Sequence, residues 1–176
     1  MSGISILDDG RVQLLNGATL DAGGLAKGFT ADLVVQQALA MGATGACVNI
    51  GGDMFIHTGS AEAWPVDIMS PDNSHVVDSV LVSHGGVATS TLNARHRNGA
   101  GITNHIFTID GPTTSHTASA TVIASHAAWA EAWTKYAIVA PTDEVLHTIA
   151  SRGMAAMLVL ADGTTVSTDS WKELRQ

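Results

Sequence analysis

Short segments of β character come in runs along this chain, and only two or three stretches of helical spacing interrupt them. Residues 2–20 read as short strands with turns at Asp8-Asp9-Gly10 and near Asn16-Gly17. From 27 to 41, Phe29, Leu33, Val34, Ala38 and Leu39 recur at helical spacing, and Gly42 follows as a stop. Strands are expected at 46–50 and 54–57 around Gly51-Gly52-Asp53, and at 64–69 and 77–83 around Pro71-Asp72-Asn73. After Val87-Ala88 a polar loop is expected over 89–104, then strands at 105–109 and 118–125. A helix over 127–140 carries Trp129, Trp133, Tyr136 and Ala137 on one side. A second helix is expected near Thr142, capped by that residue, with Asp143 and Glu144 favouring its first-turn dipole. A hairpin of 157–160 and 164–166 closes the chain around Asp162-Gly163. This order predicts an α+β fold, with mixed or antiparallel sheets packed against two to three helices, rather than regular βαβ alternation.

The 176 residues fit a single domain spanning 1–176. Apolar residues make up 45% and charged ones 14%, which predicts a globular protein. A formal charge of -8, with Lys and Arg totalling only eight and scattered, argues against a nucleic-acid or anionic-membrane partner. No apolar run reaches the ~20 residues of a membrane helix, and the first residues lack a signal-sequence pattern. As it stands the sequence reads as soluble and cytoplasmic, with its original compartment left open. Cys47 excludes an internal disulfide framework and, in an apolar run, is expected to be a small buried residue. The eight histidines form no His-x3-His or His-Glu-x2-His pattern, so a histidine-based zinc site is not expected.

The chemistry-bearing stretch is Asp21-Ala22-Gly23-Gly24-Leu25-Ala26-Lys27-Gly28, between a strand-like and a helix-like segment. Its glycines allow a tight turn, the following helix start offers N–H groups to an anion, and Lys27 adds a charge. It is neither a dinucleotide fingerprint nor a P-loop, because its glycine spacing differs and Lys27 is followed by Gly28. Taken alone it could equally be a tight turn with Asp21 and Lys27 as a surface pair. Gly51-Gly52-Asp53 places a second glycine pair at the end of a buried strand. Thr89-Ser90-Thr91, beside Arg95 and Arg97, suits phosphate or ribose oxygens, or else is a solvated polar loop. His105 borders an apolar strand and reads either as a base or as a half-buried ring.

Taken in order, residues 21–32, 48–53, 88–90, 104–106 and 121–139 resemble one family, the FAD:protein FMN transferases or ApbE family, once linked to thiamine biosynthesis. The family pattern runs Asp-x-Gly-Gly-Ile-Ala-Lys-Gly-x-x-x-Asp, Val-Asn-x-Gly-Gly-Asp, Ala-Thr-Ser, His-Ile-Ile-Asp-Pro, and a Thr-Val run before a helix. Trp64-Pro65-Val66-Asp67-Ile68 and Ser70-Pro71 are similar to a further family stretch. The resemblance implies an ApbE-like, T-fold-like core. It also implies a magnesium-dependent transfer of FMN from FAD to a Thr or Ser hydroxyl of a flavoprotein, releasing AMP. On that pattern Lys27 is the cation of the FAD site, His105 the base, and the Gly24 carbonyl a metal ligand. Asp21, Gly23, Gly24, Ala26, Gly51, Gly52, Asp53, Thr89 and Ser90 fall on the flavin-nucleotide pocket.

Two positions depart from the pattern. Where the family carries Asp and, four residues later, Thr as metal ligands, this chain has Glu131 and Lys135, with Thr134 one residue off. Glu131 can bind a hard cation whereas Lys135 repels one, and at this spacing the two suit a helix salt bridge. Asp-Pro is replaced in His105-Ile106-Phe107-Thr108-Ile109-Asp110-Gly111. The family also carries an N-terminal portion ahead of the matching region, so a fragment or a shortened homologue is expected. Three readings follow: a working transferase, a flavin-nucleotide-binding domain without transfer, and a partner-binding domain with no ligand.

Overall fold

Two strands, β7 (His84–Thr91) and β10 (Thr117–Ala124), form the centre of the molecule because both of their faces are buried. The computed structural model of the protein describes residues 3–92, 106–108, 111–112 and 116–176. Around the central pair run β3 (Ala46–Ile50), β4 (Asp53–His57), β11 (Ala155–Leu160) and β12 (Thr165–Ser167), in the order β12-β11-β10-β7-β4-β3. Every pairing in this sheet is antiparallel.

The two-residue period of a strand sorts the core into two layers. Val87, Ile123, Ala155, Met157 and Val159 face a hairpin of β5 (Trp64–Met69) and β6 (Val76–Val82), with Trp171 of α4 (Asp169–Glu173) beneath it. Their neighbours Ala88, Ala120, Val122, Ala156 and Leu158 face the opposite way, under α2 (Ala127–Val139) and α3 (Thr142–Ala150). Full burial of residues such as Ile56, Val122 and Leu158 contributes about 1.5–3 kcal/mol each, more than a typical net hydrogen bond. The sheet is therefore held mainly by its side chains.

Helix α1 (Ala26–Ala40) lies against β3, β4 and α2. Its buried residues are Gly28, Ala31, Asp32 and Val35, an i, i+3, i+4, i+7 stripe. Phe29, Leu33 and Val34, expected on the packed face, are exposed. The cause is spacing: a Cβ on Gly28 would stand 2.3 Å from the Ala127 carbonyl oxygen, so small residues must face α2. Cys47 is likewise exposed rather than buried. It lies on the edge strand β3, whose alternate residues Ala46, Val48 and Ile50 pack toward α1.

The polar loop expected from Thr89 starts later, because 89–91 continue β7. Pro141, not Thr142, is the N-cap of α3, while Asp143 and Glu144 do occupy its first turn. The short fourth helix α4 was not expected; the Thr168 side chain caps it by accepting from the Trp171 N–H at 3.2 Å. Near the N-terminus β1 (Ile4–Ile6) pairs with β2 (Val12–Leu14), and β8 (Phe107–Thr108) pairs with β9 (Gly111–Pro112). Of the strand expected at 105–109, Ile106 precedes β8 without joining it, and residues 105 and 109 lie outside the described residues. Among the described residues no helix is long and apolar enough to cross a membrane.

Candidate functional site

The turn before α1 is shaped by Asp21, whose Oδ1 accepts the Gly23 N–H at 2.7 Å. The N–H groups of Leu25 and Ala26 then donate to the Ala22 carbonyl, so the turn runs straight into the helix. No side chain caps α1 at Leu25. Instead the Gly28 N–H donates to Glu131 Oε2 on α2 at 2.7 Å. The place that the sequence offers to an outside anion is therefore held, at Gly28, by the protein's own carboxylate. Asp32 of α1 returns the bond, accepting the N–H groups of Ala127 and Ala128 at 2.7 and 3.0 Å. Each helix start thus carries a carboxylate from the other, the sign its dipole favours.

The second glycine pair forms a two-residue hairpin loop, since Ile50 and Asp53 are partners across β3 and β4. Gly51 and Gly52 have φ of +64° and +98°, the left-handed region that such a loop requires. Asn49 Oδ1 steadies it by accepting the Gly52 N–H at 2.8 Å. Asp53 follows at once, with its side chain wholly buried, and its Oδ2 accepts from Lys27 Nζ. The two glycine turns are joined by this ion pair. Lys27 does not pair with Asp21.

Glu131, also wholly buried, completes the cluster. Its Oε1 lies 3.3 Å from Lys27 Nζ and 3.4 Å from Lys135 Nζ. Two carboxylates and two ammonium groups therefore balance. Asp53 Oδ1 is buried without a hydrogen-bond partner among the described residues, an expensive state for an ionised oxygen. Burial pushes the Asp53 carboxyl above its ordinary range, outweighing the pull of Lys27. For Lys27 burial acts downward, but Asp53 and Glu131 together hold it above the usual lysine value. Lys135 goes the other way: burial lowers it despite the attraction of both carboxylates.

This donor set does not suit a magnesium ion. Glu131 spends one oxygen on the Gly28 N–H and faces two ammonium groups with the other, whereas magnesium requires closely placed oxygen ligands. Among the described residues no group of three or more His, Cys, Asp and Glu side chains converges. Gly24 stands beside the Lys135 arm, whose Cε lies 4.0 Å from where a Gly24 Cβ would sit.

The site residues read from the sequence therefore fall in three groups. Lys27, Asp53 and Glu131 meet, with Asp21, Gly23 and Gly24 in the first turn, Ala26 at the start of α1, and Gly51 and Gly52 in the second turn. Thr89 and Ser90 lie in β7, with their hydroxyls on Thr121 Oγ1 at 2.9 Å and Thr134 Oγ1 at 2.7 Å. His105, Arg95 and Arg97 lie outside the described residues. Lys135 joins the cluster as well as forming its helix pair with Glu131. Asp32 went unnoticed as a docking group, although its position four residues after Gly28 on one helix stripe was the available signal. A cavity of about 350 Å³ opens elsewhere, lined by Trp129, Trp133 and Arg152 among others, with the Arg152 guanidinium 4.9 Å from the Trp133 ring centre.

The sequence model of the ApbE family matches residues 2–158, most of the chain. The chain belongs to the ApbE family. Solved structures agree. The ApbE protein of Thermotoga maritima is 26% identical, with a TM-score of 0.88 over 99% of this chain and 59% of its own. The flavinyl transferase ApbE of Pseudomonas stutzeri is 25% identical, with a TM-score of 0.77 over 98% of this chain and 56% of its own. The flavin transferase ApbE of Vibrio cholerae, 18% identical, shares the fold with a TM-score of 0.78 over 98% of this chain and 58% of its own. This ApbE-family chain thus spans under three fifths of the length of each of these relatives. No curated protein matches it.

Proposed function

We propose that this ApbE-family chain binds FAD at the junction of its two glycine turns and serves the transfer of FMN to a Thr or Ser hydroxyl of a flavoprotein. One observation carries the reading: Lys27 and Asp53, 26 positions apart in sequence, pair between the two turns that the family pattern assigns to the nucleotide. Lys27 keeps about a third of its side chain exposed and can turn a donor to a phosphate oxygen. Asp53 Oδ1 awaits a donor, which the hydroxyl or amino groups of a nucleotide provide.

In the transfer, the acceptor hydroxyl oxygen forms a bond to the phosphorus of the FMN half. The bond from that phosphorus to the bridging oxygen breaks, and AMP leaves with the bridging oxygen. The hydroxyl proton passes to a base, for which His105 is the candidate by its place in the family pattern. The described groups contribute binding and charge: Lys27 steadies the phosphate, and Asp53 orients Lys27.

A second reading, FAD binding without transfer, is favoured by the engagement of both Glu131 oxygens. Incubation with FAD and a Thr-containing acceptor domain, followed by mass measurement of the acceptor, separates the two. An increase of one FMN supports transfer and sinks the second reading. Bound FAD with an unaltered acceptor does the reverse. Absence of both binding and transfer overturns each.

A further inference from the structure

Lys135 is the group in this cluster that the family pattern does not account for. Its Nζ reaches Glu131 Oε1 only at 3.4 Å, and its side chain retains about a quarter of its exposure. Its stem runs beside Gly24, the residue whose carbonyl the family pattern gives to a metal. A divalent ion brought there would stand against two ammonium groups, and Glu131 is already engaged on both oxygens. An anion brought there meets the opposite situation. It finds an ammonium whose one hydrogen bond among the described residues is long and leaves donors to spare, beside a second ammonium held by Asp53.

Resting on the proposed nucleotide site, we infer that the Lys135 ammonium is the built-in cation for the nucleotide's pyrophosphate, so that FAD binding by this chain needs no divalent metal. The charge count supports this. Asp53, Glu131, Lys27 and Lys135 sum to zero without a metal, and each buried carboxylate already faces at least one ammonium. Replacing a magnesium ion by a lysine keeps positive charge beside the phosphates. It gives up coordination geometry for hydrogen-bond donors on a flexible stem.

Titration calorimetry with FAD, in EDTA and then in magnesium, tests the inference on the chain as it is. Equal affinity in both is expected, with Lys135→Gln weakening it about tenfold or more in EDTA and Lys135→Arg retaining most of it. FAD binding that appears only with magnesium overturns the inference and leaves the nucleotide site standing. Affinity that is metal-independent yet unchanged in Lys135→Gln also overturns it. Failure to bind FAD under either condition removes the nucleotide site, and the inference with it. A readout without nucleotide guards against misfolded variants: manganese titrated into the unaltered chain and followed by its paramagnetic resonance should stay free. Stoichiometric uptake that Glu131→Gln abolishes overturns the inference.

Discussion

Two aspartates of this protein, Asp78 partly buried and Asp53 wholly buried, sit in contrasting surroundings. Asp78 on β6 is fully served: its Oδ2 accepts from the Trp171 indole at 2.9 Å and the Arg175 guanidinium at 2.7 Å, and its Oδ1 accepts the Ser79 N–H at 3.0 Å. Asp53 is buried more deeply, yet one of its oxygens has no partner among the described residues. The first arrangement fastens the C-terminal helix to the β5–β6 hairpin and is complete. The second is incomplete in the way expected of a site that finishes its hydrogen bonding with a ligand.

The contrast breaks most visibly at Glu131. Removing it leaves Lys27 and Lys135 short of their shared carboxylate and the Gly28 N–H unpaired. Glu131→Ala should lower unfolding free energy by about 3–5 kcal/mol in a denaturant melt. Asp78→Ala strands the buried Trp171 N–H and should cost about 1–3 kcal/mol while leaving FAD affinity unchanged. Asp53→Asn should do the opposite, costing FAD affinity about tenfold or more and little stability, because Lys27 can turn to Glu131 and to water. An Asp53→Asn variant that lost stability but bound FAD normally would erase the distinction between the two aspartates.

Acid titration of stability gives a smaller, signed difference. For Asp78, burial acts upward, but the Trp171 and Arg175 bonds outweigh it and hold the carboxyl below its ordinary value. Its contribution is present above the unfolded value near 3.8 and is lost as pH falls through the lower folded value. Asp53 is shifted upward by burial, so its protonation favours the folded state below the unfolded value, and that gain is lost as pH rises through the higher folded value. Stability curves of Asp78→Asn and Asp53→Asn should therefore differ from the parent in opposite senses on the acid side.

Much of the sheet was legible from pattern. The strands expected at 118–125, 64–69 and 157–160 fall on β10, β5 and β11, with β11 starting two residues earlier, and the glycine-turned hairpin falls at Gly51-Gly52. What local pattern could not supply was the direction of a packed face. Phe29 and Leu33 are more apolar than Gly28 and Ala31, yet closeness to Ala127 selected the smaller residues. Cys47 looked internal because the edge position of β3 is a property of the whole sheet. At the site, Lys27, Asp53 and Glu131 could be named from family motifs. The Glu131–Lys135 pair follows from its i, i+4 spacing, but its meeting with Lys27 and Asp53 depends on α1 and α2 lying side by side, and no spacing along the chain encodes that.

The exchange of Asp32 and Glu131 between the two helix starts has a dynamic consequence. Neither helix can fray from its first turn without exposing a carboxylate that belongs to the other, so their opening is linked into one cooperative event. Amide protons of Gly28, Ala127 and Ala128 should exchange with solvent at matched rates, and Asp32→Asn should quicken all three together. The Lys27 and Lys135 ammonium groups, one on each helix, inherit that shared rigidity: they stay in position only while both helices remain closed.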